Sequence, residues 1–304
     1  MTAASRTLAA VVVLTATVAA QQLPSFRTGV DVVSLSVTVT DASSRYVTDL
    51  TPDQLIIFED GAKQDITYFN RTNVPIALAL LLDTSASMED KMATAREAAV
   101  GFARRLRPQD LGQLIGFADR VEVLQTFTND QAALERAIRK TVANGSTPLY
   151  NAIYIALKEL KKIRATTQEE IRRQAIVVFT DGADTSSLMD FDELLDLAKR
   201  SETAVYTIAL RSPSEIASRT YADTDFSLRQ LAQQTGGRSF FPTRIEDLAG
   251  VYGQIADELA SQCVVGFVSK NTKRDGAWRK LTVRVDREGT TVRTRLGYFA
   301  PKEK

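Results

Sequence analysis

Four uninterrupted apolar runs limit most strongly how this chain can fold: IALALLL (76–82), LGQLIGF (111–117), QAIVVF (174–179) and AVYTIAL (204–210). A strand with one face in water alternates apolar and polar side chains, whereas a run without alternation suits a strand covered on both faces. The segments between them carry helical three-and-four spacing, in Met92, Ala95, Ala99, Phe102 and Leu106, in Ile153, Leu157 and Leu160, and in Ile245, Leu248, Val251, Ile255 and Leu259. Buried strands alternating with amphipathic helices predict a doubly wound α/β fold, a mostly parallel sheet with helices on both faces. RVEVLQTF (120–127) follows the second run so closely that an antiparallel edge strand is expected there.

Outside residues 74–261 the period changes. VVSLSVTVT (32–40) sets Val33, Leu35, Val37 and Val39 against Ser34, Ser36, Thr38 and Thr40, the two-residue period of a half-buried strand. LIIFEDGAKQDITYF (55–69) reads as a hairpin turning at Glu59-Asp60-Gly61. Strand patterns return in CVVGFV (263–268), LTVRVD (281–286) and TTVRTRLGYF (290–299). Neither outer segment buries enough surface to be stable alone. The α/β domain, 74–261, is therefore expected to be inserted in a small β-sandwich built from residues 21–73 and 262–304, with two separate β-appendages as the alternative. The polar stretch 211–225 is expected as a surface loop, and the last helix of the α/β domain at about 244–261.

The 38 basic and 37 acidic residues form no long block of either sign, so the chain lacks the electrostatic footprint of a nucleic-acid or anionic-membrane binder. It contains no histidine. That removes the commonest general base, the zinc-protease helix motif and any Ser-His or Cys-His nucleophile pair, and argues against most hydrolases. Residues 1–20 carry one charge, Arg6, then an apolar run from Leu8 to Val18 and the small residues Ala19 and Ala20. This pattern predicts a secretory signal peptide, with an uncleaved anchor as the alternative. Cleavage would leave equal numbers of basic and acidic residues, no membrane span, and a secreted, periplasmic or cell-surface protein. Cys263 has no cysteine partner in the chain and sits in an apolar run, which predicts a buried strand residue.

In an open α/β sheet, ligands bind beyond the carboxyl ends of the strands, and the first strand runs straight into Asp83-Thr84-Ser85-Ala86-Ser87. Alternating Asp-x-Ser-x-Ser can aim a carboxylate and two hydroxyls at one point, and hard oxygens suit Mg2+. The plainer reading is that Ser87 caps the next helix, with Asp90 completing a capping box. Two further stretches lie on the same edge: ANGSTPLYNAI (143–153), with Thr147 just before a helix, and VVFTDGADT (177–185), with Asp181 at the end of a buried strand. Gly145 and Gly182 are read as turn residues, Ser146 as a substitute hydroxyl beside Thr147, and Asp184 as a solvated loop residue, with bracing of the loop as its alternative role.

In this order, Asp83, Ser85 and Ser87, then Thr147, then Asp181, the sequence resembles the von Willebrand factor type A domain family over residues 74–261. The flanking stretches VDVVSLSVTVTD, LIIFEDGAKQ and TVRTRLGYFAP are similar to those of secreted von Willebrand A related proteins known mostly from acidobacterial genomes. The resemblance implies a metal-ion-dependent adhesion site: direct coordination by Ser85 and Ser87, direct or water-mediated coordination by Thr147, and Asp83 and Asp181 acting largely through water. The implied ion is Mg2+, with Mn2+ or Ca2+ as alternatives. An extracellular or envelope protein presenting an acidic side chain is the implied partner. A structural metal site in an envelope scaffold is one competing reading. A haloacid-dehalogenase-like phosphatase is another, but it needs a second carboxylate where this chain has Ser85, and a serine cannot transfer the proton. The chain is therefore expected not to be an enzyme.

Overall fold

Residues 32–71, 74–163, 172–211 and 219–303 are described by the computed structural model, so the expected signal peptide at 1–20 lies outside the described residues. The strands β1 (Val32–Thr40), β2 (Leu55–Glu59), β3 (Ala62–Gln64) and β4 (Ile66–Asn70) come first. An α/β body follows, with β5 (Ile76–Asp83), α1 (Met92–Ala103), β6 (Leu111–Phe117), β7 (Val121–Thr128), α2 (Gln131–Arg139), α3 (Leu149–Lys162), β8 (Arg173–Thr180) and α4 (Phe191–Arg200). The body is completed by β9 (Ala204–Ala209), α5 (Arg219–Thr235), β10 (Ser239–Phe240) and α6 (Leu248–Ser261), and the chain returns through β11 (Cys263–Val268), β12 (Trp278–Val285), β13 (Thr291–Arg293) and β14 (Gly297–Phe299).

The body's sheet has the order β10-β9-β8-β5-β6-β7, parallel throughout except for β7, which pairs antiparallel with β6 at the edge. All eight residues of β5 are buried. The reason lies in the helices on both faces: Leu78, Leu80 and Leu82 pack with α1 and α6 residues such as Phe102 and Ile255, while Ala77, Ala79 and Leu81 pack with Ile153 and Leu157 of α3 and Leu228 of α5. Burying each such leucine contributes on the order of 2 kcal/mol. Among the described residues, no helix is long and apolar enough to cross a membrane.

The terminal strands form two antiparallel sheets, β13-β1-β11-β4 and β14-β12-β2-β3, each mixing strands from both ends of the chain. Val33, Leu35, Val37 and Val39 of β1 share one core with Ile57 of β2, Val265 and Phe267 of β11 and Val283 of β12, so the pair is a sandwich. Asp60 and Gly61 make the β2–β3 turn with φ of 47° and 85°, the left-handed pair that a two-residue hairpin turn requires. The expected single hairpin over 55–69 is only half formed. After β3 the chain changes sheets at Asp65, and β4 pairs with β11. Cys263 is buried in β11, where burial pushes its thiol up to about 11.

Several side-chain contacts fasten the sandwich to the body. Lys199 Nζ lies 4.0 Å above the Trp278 ring and the Arg200 guanidinium 3.7 Å from the Phe299 ring centre. Deeper in, Glu258 of α6, fully buried, accepts from Tyr206 at 2.7 Å and pairs with Arg293 of β13, while Gln262 donates to Tyr206 and to Thr38 of β1. Thr38, expected on the wet face of its strand, is buried by this network. The surface-loop expectation for 211–225 also needs correcting. Arg211 is fully buried, residues from 219 onward begin α5, and the rest of that stretch, 212–218, lies outside the described residues. The physical reason is that α5 is anchored by Leu228, Leu231 and Ala232 in its second half, so its polar first turns carry no apolar period.

Candidate metal site

From β5 the chain runs outward through β6 and β7, then returns to lay β8 against the other side of β5. The loops leaving β5 and β8 therefore diverge and open a crevice at the carboxyl edge, the switch point of the sheet. Asp83 ends β5 and Asp181 directly follows β8, so the two carboxylates flank that crevice. Asp83 forms its floor, fully buried, accepting from Ser85 N–H at 2.8 Å and from the Thr180 hydroxyl at 2.5 Å. Burial is the largest influence on Asp83 and pushes its carboxyl up to about 6 against the hydrogen bonds from Ser85 and Thr180, with the Asp181 charge adding to the rise.

Ser85 and Ser87 extend the row of oxygens toward solvent: Ser85 Oγ is 3.1 Å from Ser87 Oγ, and Ser87 Oγ donates to Asp181 Oδ1 at 2.7 Å. The capping-box alternative for Ser87 is not what forms. Residues 86–91 make a 3-10 turn with Ser85 at its N-cap and no side-chain cap bond, and Ser87 inside the turn is exposed and faces Asp181. Thr147 arrives from the loop before α3, buried, with its Oγ1 so placed that a Cβ on Gly182 would lie 3.4 Å from it. Its backbone is tied to Thr185 in both directions, N–H to the Thr185 hydroxyl and carbonyl from the Thr185 N–H, each at 3.0 Å. The 143–148 loop is tied to the first loop too, by Asn144 N–H to Thr84 O at 2.7 Å and Ala86 N–H to Gly145 O at 3.0 Å. Asp83, Ser85, Ser87 and Asp181 are thus joined in one row, and Thr147 packs beside it against Gly182 of the β8 loop.

The neighbouring residues divide differently from their sequence reading. Ser146 turns away, its N–H and hydroxyl both bonded to Asp119 Oδ1, at 3.0 and 3.2 Å. Gly145 has φ of 71° and a Cβ there would meet the Asp119 carboxylate at 2.5 Å, so both backbone sterics and space demand glycine. Asp184 is not simply solvated. It accepts from Tyr150 N–H at the start of α3 and from the Ser187 hydroxyl at 2.5 Å, bracing the β8 loop onto that helix.

Sequence reasoning missed two cations. The Lys91 ammonium pairs with Asp181 Oδ2, and fully buried Arg211 donates from Nη1 to Asp181 O at 3.1 Å while its Nε binds Asp225 at 2.9 Å. The signals were faint: Lys91 lies four residues after Ser87, and Arg211 directly follows the AVYTIAL run.

Among the described residues no three His, Cys, Asp or Glu side chains converge, so any ion here must use hydroxyls as well as carboxylates. The donor set fits a small hard cation. Neighbouring ligands of an octahedral Mg2+ lie about 3 Å apart, which matches the 3.1 Å between the two serine hydroxyls and the 2.7 Å from Ser87 to Asp181.

Residues 78–183 match the family model of the von Willebrand factor type A domain. A UPF0353 protein of Mycolicibacterium paratuberculosis is 25% identical over 216 residues, 65% of this chain and 64% of that protein. A UPF0353 protein of Mycobacterium tuberculosis is 26% identical over 219 residues with the same two shares. The alignment thus spans 64% of these curated relatives' length. Among solved structures, the von Willebrand factor type A protein from Catenulispora acidiphila aligns with a TM-score of 0.52 and 11% identity, covering 92% of this chain and 76% of that one. The vWF domain of the type V pili tip protein Mfa5 from Porphyromonas gingivalis aligns with a TM-score of 0.50 and 13% identity, covering 62% and 96%. These likenesses are of fold.

Proposed function

Because residues 78–183 of this chain match the von Willebrand factor type A domain, we propose that it works as a secreted, divalent-metal-dependent protein-binding module. Domains of this family are commonly interaction modules and typically not enzymes, and they often bind divalent metals. The observation that carries the finer reading is the continuous row of oxygens from buried Asp83 through Ser85 and exposed Ser87 to Asp181, with Thr147 packed beside it. Ser85, Ser87 and Thr147 supply neutral donors, Asp83 and Asp181 supply charge behind them, and Arg211 holds the Asp181 backbone in place. Mg2+, or Mn2+ or Ca2+, held largely by hydroxyls keeps enough positive charge to attract a carboxylate from a partner protein. The partner of this reading is an extracellular or envelope protein with an acidic side chain.

The test is capture of partners from an extracellular or envelope fraction by the full chain, with Mg2+, with EDTA, and with Asp83→Ala, alongside melting curves. The expected result is capture lost with EDTA and with the variant while unfolding stays cooperative. Chelation that lowers Tm but leaves capture intact would make the ion a structural stiffener and overturn the adhesion reading.

A further inference from the structure

A second polar concentration lies at the opposite, amino-terminal edge of the sheet, where the body meets the sandwich. A cavity of about 210 Å³ there is lined by Arg172 and Arg173 at the start of β8, by Arg295 between β13 and β14, by Ser34 and Ser36 of β1, and by Glu202. Arg295 is only 7% exposed, and while its Nη2 donates to Ser34 O and Glu202, its Nε and Nη1 have no hydrogen-bond partner. Arg172 Nη1 and Arg173 Nε are likewise buried without a partner. We propose that this junction cavity binds a small tetrahedral oxyanion, of the class of inorganic phosphate or sulfate.

The physical case rests on unpaired charge as well as unpaired donors. Buried N–H groups without acceptors are costly, more so when the group is charged. Water can accept such hydrogen bonds but brings no charge, and among the lining residues the largely exposed Glu202 is the one carboxylate facing the three guanidinium groups, with Asp110 acting on Arg173 from behind. An oxyanion does both, since its oxygens match guanidinium forks and its charge offsets theirs. The volume, that of about seven waters, leaves room for one oxyanion with some hydration. Arg173 adds to the positive field, although burial, aided by the charge of Arg107, brings its guanidinium down to about 10. Because Ser34 and Arg295 belong to the sandwich segments and Arg172 and Arg173 to the body, the anion would tie the two together.

The experiment titrates the full chain, in EDTA, with sodium phosphate and separately with sodium sulfate, against sodium chloride at equal ionic strength, reading Tm and calorimetric heat. The expected result is a saturable rise in Tm beyond the chloride control. Binding should weaken roughly tenfold or more in Arg295→Gln and in Arg172→Gln, each of which removes charge-assisted hydrogen bonds, and should be unchanged in Asp83→Ala. Should Arg295→Gln fail to fold, half-buried Arg172 carries the test alone. A wild-type chain with no saturable response beyond chloride, or variants that bind both anions as the wild type does, would overturn the assignment.

Discussion

The two edges of the central sheet bear opposite charge. At the carboxyl edge, Asp83 and Asp181 share a crevice with three hydroxyl side chains, and the nearest cations, Lys91 and Arg211, attach to the outer oxygen and backbone of Asp181. At the amino edge, Arg107, Arg172, Arg173 and Arg295 gather around the strand starts, and the buried acids there are already partnered, Asp110 by Arg107 and Ile76 N–H and Glu258 by Arg293 and Tyr206. A parallel sheet makes this segregation possible, since every strand end of one kind lies on one edge and the loops there can be tuned together. One edge faces solvent and collects acceptors. The other faces the sandwich and collects donors.

The sharpest break would come from Asp181→Ala, which removes one carboxylate of the pair and frees Lys91. Mg2+ affinity by calorimetry should fall by roughly 100-fold, and an unchanged affinity would show that the crevice is not the cation's place. Next in size, Asp110→Asn should leave Mg2+ affinity untouched but lower stability in urea by about 2–3 kcal/mol, because it strands Arg107 and weakens the acceptor of Ile76 N–H.

Acid should act on the two edges with opposite sign. Burial raises the Asp83 carboxyl to about 6, so without metal the folded state binds the extra proton between about pH 4 and 6, and stability falls as pH rises through that window. The effect is on the order of 2–3 kcal/mol. For Asp110 burial also pushes upward, but the hydrogen bonds from Arg107 and Ile76 outweigh it and hold the carboxyl below its ordinary value. Its contribution is complete above the unfolded carboxylate range and is lost as pH falls below about 4. Urea melts of Asp83→Asn and Asp110→Asn against the wild type, in EDTA across this pH range, should diverge in opposite directions. The smallest effect belongs to Lys91→Met. Removing a partly exposed like charge should tighten Mg2+ binding a few-fold, about 0.5–1 kcal/mol, with the gain shrinking at high salt. A loss of affinity would mean that Lys91 orders Asp181 rather than competing with the ion.

The five candidate residues could be singled out because each lies in a short polar stretch at the end of a buried strand or the start of a helix, signals that need only local sequence. Their supports were not. Asp181 finds Lys91 90 residues away and Arg211 30 residues away, and Asp119 reaches Ser146 across 27, distances at which no spacing rule applies. The mostly parallel sheet with helices on both faces followed from the unbroken apolar runs, whereas the change of sheet at Asp65 did not, since a single residue separates β3 from β4 and no glycine or proline marks the step. Helix α5 was hidden for a related reason: its first turns take part in holding Arg211 through Asp225 rather than in packing.

The pairing of β4 with β11, Asn70 opposite Val264, places the two ends of the α/β body on neighbouring strands. Adjacent strands run about 5 Å apart, so the body is a cassette whose two ends leave the sandwich side by side, with contacts such as Glu258 to Arg293 and Lys199 to Trp278 broadening the junction. Such a cassette can be transplanted into the tip of another hairpin, or deleted and replaced by a tight turn, without stretching either host. Lineages could exchange the α/β body while the mounting stays the same.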